Sequence, residues 1–186
     1  MSTGFNKVTF MWSSTDTDPT IVNDPNWIID PVFDDEAWAN QIGPSYWSFP
    51  GGSSITTPTQ DAYNALKLTA NRAQITALIT AERYRRTSTG GYLVNGKWFN
   101  SDDSSRIQQI GLMIMGANIP AGIMWKTMDG TFVLMTQTLA VQIFQAAAAS
   151  DMNFFAICQS KIATMAALPD PTTYDYLSGW PKIYGE

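Results

Sequence analysis

Few residues of this chain could perform chemistry, and their types exclude several reactions. Histidine is absent, which removes the commonest general base and zinc ligand and rules out any imidazole-dependent triad. Cys158 is the single cysteine, so no internal disulfide and no cysteine cluster for zinc can form. No G-x-S-x-G motif is present, so Ser104 and Ser105 do not form a nucleophile elbow. We therefore expect no enzymatic activity and no cofactor.

Two carboxylate clusters are the remaining candidates for metal binding. Asp34-Asp35-Glu36 and Asp102-Asp103 lack the alternating, glycine-kinked spacing of a calcium loop. Each cluster precedes a helical pattern, and carboxylates at a helix N-terminus are stabilised by the backbone dipole. The pattern therefore favours helix starts over metal sites. Residues 51–54 (GGSS) lack the lysine that a phosphate loop requires, and they indicate a hinge.

Charge and hydropathy restrict the class of partner. The net charge of −5 argues against a general nucleic-acid binder, because phosphate contacts need clustered lysine and arginine. Residues 1–50 contain seven acidic residues and one basic residue, a net charge of −6, whereas the remainder has nine acidic and ten basic residues, a net charge of +1. The longest apolar stretch, around residues 110–117, is far shorter than the roughly 20 residues of a membrane span. We expect no membrane span.

The composition changes along the chain and predicts three regions. Residues 1–57 are rich in Pro, Asp, Ser, Thr and Gly, which indicates an extended, mostly irregular docking arm with a short helix near residues 34–41. Residues 58–168 carry long apolar periodicities and predict an α+β domain. Residues 169–186 predict an extended, aromatic-rich C-terminal tail.

Tryptophan is concentrated where regular structure is least expected. Four of the seven tryptophans lie in the first 57 residues, and another lies in the tail. Large aromatic side chains anchor a segment either onto its own core or onto a neighbouring chain. The hypothesis of partner contact applies to Trp12, Trp27, Trp38, Trp47 and Trp180. Aromatic platforms also bind sugars, which is the alternative use.

A long helix is predicted from Thr57 to about residue 86. Thr57 can cap the helix, Pro58 suits the first helical position, and Gln60 completes a capping box. A stripe at heptad spacing runs along this helix and consists of Tyr63, Leu66, Ala70, Ala73, Ala77, Thr80 and Tyr84. The stripe suits either an amphipathic helix on its own core or a helix that also packs on a partner chain.

Two hairpins and two further helices follow in order. Asn95-Gly96 between two short apolar runs is a strong signal for a type I′ hairpin turn, and Asp129-Gly130 predicts a second hairpin. Asp102 is placed to cap a helix through residue 115, and Thr136 is placed to cap one to about residue 167. The order helix, hairpin, helix, hairpin, helix predicts an α+β fold with a small antiparallel sheet.

Several motifs follow one another between residues 72 and 167. They are a basic helix end (RYRR, 83–86), the hairpin YLVNGKWF (92–99), Ser105-Arg106 opening a helix, a second hairpin with Trp125-Lys126 and Asp129-Gly130, and a threonine-capped helix. The chain then closes with Trp180-Pro181. In this order and spacing the motifs resemble a domain-of-unknown-function family of tailed bacteriophages that lies in or beside tail-fibre and other tail proteins. The resemblance does not extend to residues 1–57.

The resemblance implies a virion tail context and no enzymatic activity. On that basis we expect a structural component that links or anchors tail fibres or another tail part to the tail or baseplate through protein–protein contacts. A tail-fibre assembly chaperone and a receptor-binding module are the alternatives, and a host glycan would be a ligand only for the last. The expected partners are other tail proteins in an oligomeric assembly. The protein would be made in the host cytoplasm and reside in the virion tail.

Overall fold

The structure, a computed structural model, describes residues 2–15 and 17–186 and has an α+β fold. This confirms the predicted fold class. The strands are Thr3–Asn6 (β1), Trp12–Ser14 (β2), Trp27–Ile29 (β3), Val32–Phe33 (β4), Ser48–Gly51 (β5), Ser54–Thr56 (β6), Tyr92–Val94 (β7), Lys97–Phe99 (β8), Met124–Lys126 (β9) and Phe132–Leu134 (β10). The α-helices are Glu36–Ile42 (α1), Gln60–Thr89 (α2), Asp103–Met115 (α3) and Gln137–Ala166 (α4).

The chain divides into two compact units, one up to Lys67 and one from Leu68 to Glu186. The first unit contains two three-stranded sheets, ordered β2-β1-β3 and β4-β6-β5. The segment predicted as a mostly irregular arm therefore has more regular structure than its composition indicates. Its strands are two to four residues long and pair with distant segments, for example Val32 with Ser54 in a parallel pair, so local sequence patterns carry little sign of them.

A core of aromatic and aliphatic side chains holds the first unit together. Its buried members are Phe5, Ile28, Ala39, Ile42, Trp47 and Ile55, and Phe33, Trp38, Tyr46, Phe49 and Tyr63 pack against them. Helix α1 contributes to this core, and its first turn is capped by Asp35, which accepts a hydrogen bond from the Trp38 backbone N–H at 2.9 Å. The cap fixes where the helix begins and so directs Ala39 and Ile42 inward.

The predicted cap of α2 at Thr57 is wrong. The helix begins at Gln60, and the Thr59 hydroxyl accepts a hydrogen bond from the Ala62 backbone N–H at 3.3 Å. Thr57 instead donates from its backbone N–H at 3.1 Å and from its hydroxyl at 3.0 Å to the carboxylate of Asp34. Because Thr57 is hydrogen-bonded to Asp34, which is distant in sequence, it does not cap the helix. Thr59 caps it instead.

The second unit contains the two predicted hairpins as separate two-stranded sheets. Strands β7 and β8 pair antiparallel, with Val94 opposite Lys97. Asn95 and Gly96, at the two central turn positions, have φ of 51° and 77°, as a type I′ turn requires. Strands β9 and β10 also pair antiparallel, and Gly130 between them has φ of 83°.

Side-chain caps start the two later helices where the sequence predicts them. Asp102 accepts from the Ser105 backbone N–H at 2.9 Å to begin α3, and Thr136 accepts from the Leu139 backbone N–H at 3.1 Å to begin α4. One core cluster joins β7 and β8 to α4 through Tyr92, Val94, Phe99, Met135, Ala140 and Ile143. A second cluster joins α2 to α4 through Ile75, Ile79, Cys158 and Met165.

The C-terminal tail is irregular apart from a 3₁₀ turn at Pro171–Thr173, and it packs closely on the second unit. Tyr174, Tyr176 and Trp180 lie against the second core cluster. Ile183 is buried, and the backbone N–H of Tyr184 donates to the Gly90 carbonyl at 2.8 Å. The tail therefore completes the core of this unit.

Candidate functional site

The loop between β1 and β2 presents apolar side chains on a fixed backbone. Asn6 is buried, and its side-chain oxygen accepts hydrogen bonds from the backbone N–H groups of Val8 and Thr9, each at 2.9 Å. Two backbone hydrogen bonds between Asn6 and residues 10 and 11, each 2.8 Å, close the loop. Val8 is 64% exposed and Met11 63% exposed. The loop is thus held rigid while its apolar side chains face solvent.

Phe10 gives this loop a strained backbone. Its φ is 58°, a region that bulky residues rarely occupy and that costs of order 1–3 kcal/mol. Its ring stacks on Phe5 with 6.3 Å between centroids, which helps to hold the conformation. Strained residues that the surrounding structure over-determines cluster at functional sites, so Phe10 marks the loop as a candidate contact site.

The predicted contact tryptophans have different environments. Trp12 is exposed and lies beside Phe5, with 5.1 Å between ring centroids. Trp47 is buried and donates its indole N–H to the Ala39 carbonyl at 3.0 Å. Trp27 and Trp38 are half-buried in the same unit, and Trp180 packs on the core of the other unit. Only Trp12 presents most of its ring to solvent, and partner contact through it stays a prediction.

An open groove of about 580 Å³ lies beside α1 in the first unit. Trp38 lines it, and the indole N–H donates to the Pro58 carbonyl at 2.8 Å. Asp34 lies at its edge, where hydrogen bonds from Thr57 lower the pKa of the carboxyl below its ordinary value. The groove therefore combines an aromatic face with an ionised carboxylate and the side chains of Gln41 and Gln60.

The two hairpins of the second unit are tied to each other. Lys97 of β8 donates to Asp129 at 2.8 Å and to the Thr131 hydroxyl at 2.9 Å. The hydrogen bond from Lys97, followed by those from Thr127 and Thr131, holds the pKa of the Asp129 carboxyl well below its usual range. The Met128 backbone N–H donates to the Trp98 carbonyl at 2.9 Å. The lysine and aspartate of the recognised motifs thus fix the relative position of the hairpins.

Arg106 joins three elements of the second unit. Its guanidinium makes two hydrogen bonds to Asp151 of α4, at 2.8 and 3.1 Å. It also donates to the Ser101 carbonyl before α3 at 2.7 Å and to the Thr87 carbonyl near the end of α2 at 2.8 Å. All three nitrogens are used, so Arg106 is a structural crosslink rather than a free anion-binding group.

Helices α3 and α4 leave an apolar face uncovered. Large apolar side chains are exposed at helical spacing on both helices, namely Ile107, Ile110 and Ile114 on α3 and Val141, Phe144, Met152 and Phe155 on α4. Ile114 and Met152 are each 74% exposed. A cavity of about 210 Å³ opens between the two helices, with Tyr92 among its lining residues. Exposed apolar side chains gathered on one helix face are typical of protein-contact sites, ligand-binding grooves and aggregation-prone surfaces.

The carboxylate clusters form no metal site within the part of the chain that the structure describes. Asp35 and Asp102 cap helices, and Asp34 binds Thr57. Cys158 is buried in a core cluster. Among residues 2–15 and 17–186, no helix has the length and apolar character that crossing a bilayer requires.

Comparison with known proteins identifies a family to which the chain belongs but assigns it no function. The protein is an α+β chain whose second unit is built around two hairpins and three helices. Residues 70–178 match the family described as Domain of unknown function (DUF4376), and the chain belongs to this family. No curated protein matches the chain. No solved structure matches it either.

Two functional candidates escaped the sequence interpretation. The rigid loop at residues 7–11 lies within the segment predicted as a mostly irregular docking arm, and none of its residues was among the predicted contact residues. Tyr92 was assigned to a hairpin strand, and nothing local indicates that it lines a cavity between two helices.

Proposed function

We propose that this protein is a structural component of a bacteriophage tail that joins a tail fibre or another tail part to the tail through protein–protein contacts. The observation that carries the proposal is the rigid, exposed apolar loop at residues 7–11. The ordered motifs between residues 72 and 167 support the tail context. They lie within the residues that match the DUF4376 family.

The loop has the physical properties of a docking element. A backbone that is already fixed loses little conformational entropy on binding. Val8 and Met11 are exposed and take no part in the core of the first unit through their side chains. Burying these two side chains against a partner would be favourable, because it would remove their apolar surface from water. The apolar side chains of the loop therefore add little to the stability of the first unit, and they are available for contact with a partner.

Charge indicates what kind of surface the loop meets. Residues 1–67 contain eight acidic and two basic residues, a net charge of −6. Oppositely charged rims steer association and fix orientation. The partner surface would accordingly have an apolar depression with lysine or arginine around it.

A matched pair of variants tests the loop. Val8→Ser combined with Met11→Ser removes two exposed apolar side chains and keeps the backbone hydrogen bonds of the loop. Val22→Ser removes an apolar side chain of similar exposure from the same unit but outside the loop. We expect the double variant to fold and to incorporate into particles at least tenfold less than the native chain. The control should incorporate normally, and equal incorporation of all three would contradict the proposal.

A receptor-binding module is the second candidate, and the groove beside α1 favours it. An aromatic face at Trp38 with carboxylate and amide groups around it suits a saccharide. Binding of host envelope glycans to the purified protein, lost in Trp38→Ala and retained in Val22→Ser, would support this candidate. An assembly chaperone would use the same contact surfaces as a structural protein but would be absent from mature particles.

A further inference from the structure

Helices α3 and α4 share one apolar face that is exposed to solvent. Its large side chains are Ile107, Ile110 and Ile114 on α3 and Val141, Phe144, Met152 and Phe155 on α4. Spacings of three and four residues, with the exposed Ala148 between Phe144 and Met152, put each set on one side of its helix. Ile110, Phe144 and Ala148 line the same cavity between the helices. The two sets therefore form one surface with the cavity near its middle.

The area of this face matches what a dimer of the chain needs. Its seven large side chains together expose on the order of 800 Å², which is what one partner contributes to a standard protein–protein interface. Contact of the face with itself would bury about 1,600 Å² in total. A small molecule in the cavity of about 210 Å³ would leave most of the face in water. The area thus favours a protein surface of equal extent as the occupant.

The charge of the face allows it to meet itself. Residues 107–114 and 141–155 contain one charged side chain, Asp151, and Arg106 binds it with two hydrogen bonds. Two copies of such a neutral surface approach without repulsion between like charges. Residues 68–186 have eight acidic and nine basic residues, a net charge of +1, whereas the net charge of −6 on residues 1–67 repels the same residues of a second copy. Contact between copies is therefore favoured through the second unit.

We propose that this face binds the same face of a second copy of the chain about a two-fold axis, with the helices of the two copies antiparallel. Two-fold dimers are the commonest symmetric oligomers. Arg83 lies over the Phe155 ring at one end of the face, and the antiparallel arrangement keeps this charge far from the same charge of the second copy. Ala148 is the midpoint of the exposed side of α4. A contact that covers the whole face therefore places Ala148 opposite the same residue of the second copy.

The test measures the mass of the purified full-length protein by sedimentation velocity over a range of concentrations. Ala148→Glu and Ala148→Lys each place two like charges opposite each other at the two-fold axis. Ala149→Glu adds the same carboxylate at the adjacent exposed position, which points about 100° away around the helix, and it is the matched control. Circular dichroism of each variant checks that the chain is folded.

We expect the native chain and Ala149→Glu to form dimers with dissociation constants in the micromolar range or below. Ala148→Glu alone and Ala148→Lys alone should each weaken the dimer at least about a hundredfold, because like charges then meet within an apolar interface. An equimolar mixture of these two variants should restore a dimer that contains one chain of each, because the charges that meet then have opposite sign.

Three results would overturn the inference: a native chain that stays monomeric or forms only aggregates of undefined size, equal dimer affinities of Ala148→Glu and Ala149→Glu, or a mixture of the two Ala148 variants that stays monomeric. The measurement uses purified protein, so its outcome does not depend on whether the chain belongs to a virus particle. Absence of the chain from particles would contradict the proposed function and leave the dimer intact, whereas a monomeric native chain would contradict only the dimer.

Discussion

Replacing Glu82 by glutamine is expected to destabilise the unit from Leu68 to Glu186 by about 2–3 kcal/mol at neutral pH. Glu82 is buried near the end of α2. Its carboxylate accepts two hydrogen bonds from Arg85, at 2.7 and 2.8 Å, and one from Arg86 at 2.7 Å. Arg86 in turn binds Glu186 and the Pro181 carbonyl. The variant weakens the cluster that attaches the C-terminal tail.

The magnitude follows from the pKa of the carboxyl. The two hydrogen bonds from Arg85, followed by the one from Arg86, lower the pKa of Glu82 from 4.5 to about 2. Since one pKa unit corresponds to about 1.36 kcal/mol, the ionised form contributes about 3 kcal/mol. The side chain of Arg85 is 49% exposed, and solvent screens part of its contribution, which gives the lower end of the expected range.

The pH dependence supplies a second prediction from the same group. A carboxyl whose pKa is lowered by folding stabilises the folded state fully above its unfolded pKa of 4.5. That contribution is lost as the pH falls from about 4.5 to about 2. The native chain and Glu82→Gln should therefore differ most at pH 7 and converge at low pH.

Urea titrations followed by circular dichroism at 222 nm measure this difference, because most of the helix lies in the second unit. Asp103→Asn is the control: it removes an exposed carboxylate from the first turn of α3 and should cost about 0.5 kcal/mol or less. A Glu82→Gln chain as stable as the native one at pH 7, or a difference that does not change with pH, would refute this reasoning.

Two further predictions concern backbone and crosslinks. Gly96→Val should cost about 1–3 kcal/mol, because the type I′ turn needs positive φ and a new Cβ meets no atom within 4 Å, which leaves the backbone as the only cause. Gly111→Ala within α3, where a Cβ also meets nothing, should instead stabilise by about 0.5–1 kcal/mol, and equal effects of the two would exclude the turn assignment. Arg106→Lys should cost about 2–3 kcal/mol because lysine cannot reproduce the planar fork that binds Asp151 and two carbonyls. Arg83→Lys, whose guanidinium lies over Phe155, should cost less than about 1 kcal/mol in the same titration, and a similar loss in both would remove the crosslink role.

Features decided by neighbouring residues were predictable from the sequence. The Asn95-Gly96 turn and the caps at Asp102 and Thr136 depend on interactions over two to four residues, so their signals are local. The long helices were predictable for the same reason, because their periodicity persists over many turns.

Features decided by distant pairing were not predictable. Thr57 donates a hydrogen bond to Asp34, which lies 23 residues away in sequence. Arg86 donates a hydrogen bond to Glu186, which lies 100 residues away. The parallel pair of β4 with β6 joins strands of two and three residues, too short for a periodic signal. The cavity at Tyr92 depends on the packing of two helices over a hairpin, which local sequence patterns do not specify.

The central claim is that the chain is a permanent contact-making part of a phage tail, and quantitative mass spectrometry of purified particles tests it most directly. Particles of the virus that encodes this chain would be digested with a protease. Labelled reference peptides from the chain and from a tail protein of known copy number would then be added to measure the amount of each protein. The account predicts a fixed, integral ratio between the two that persists after tails are separated from heads. Presence of the chain in infected cells and its absence from purified particles would contradict the claim and favour the chaperone.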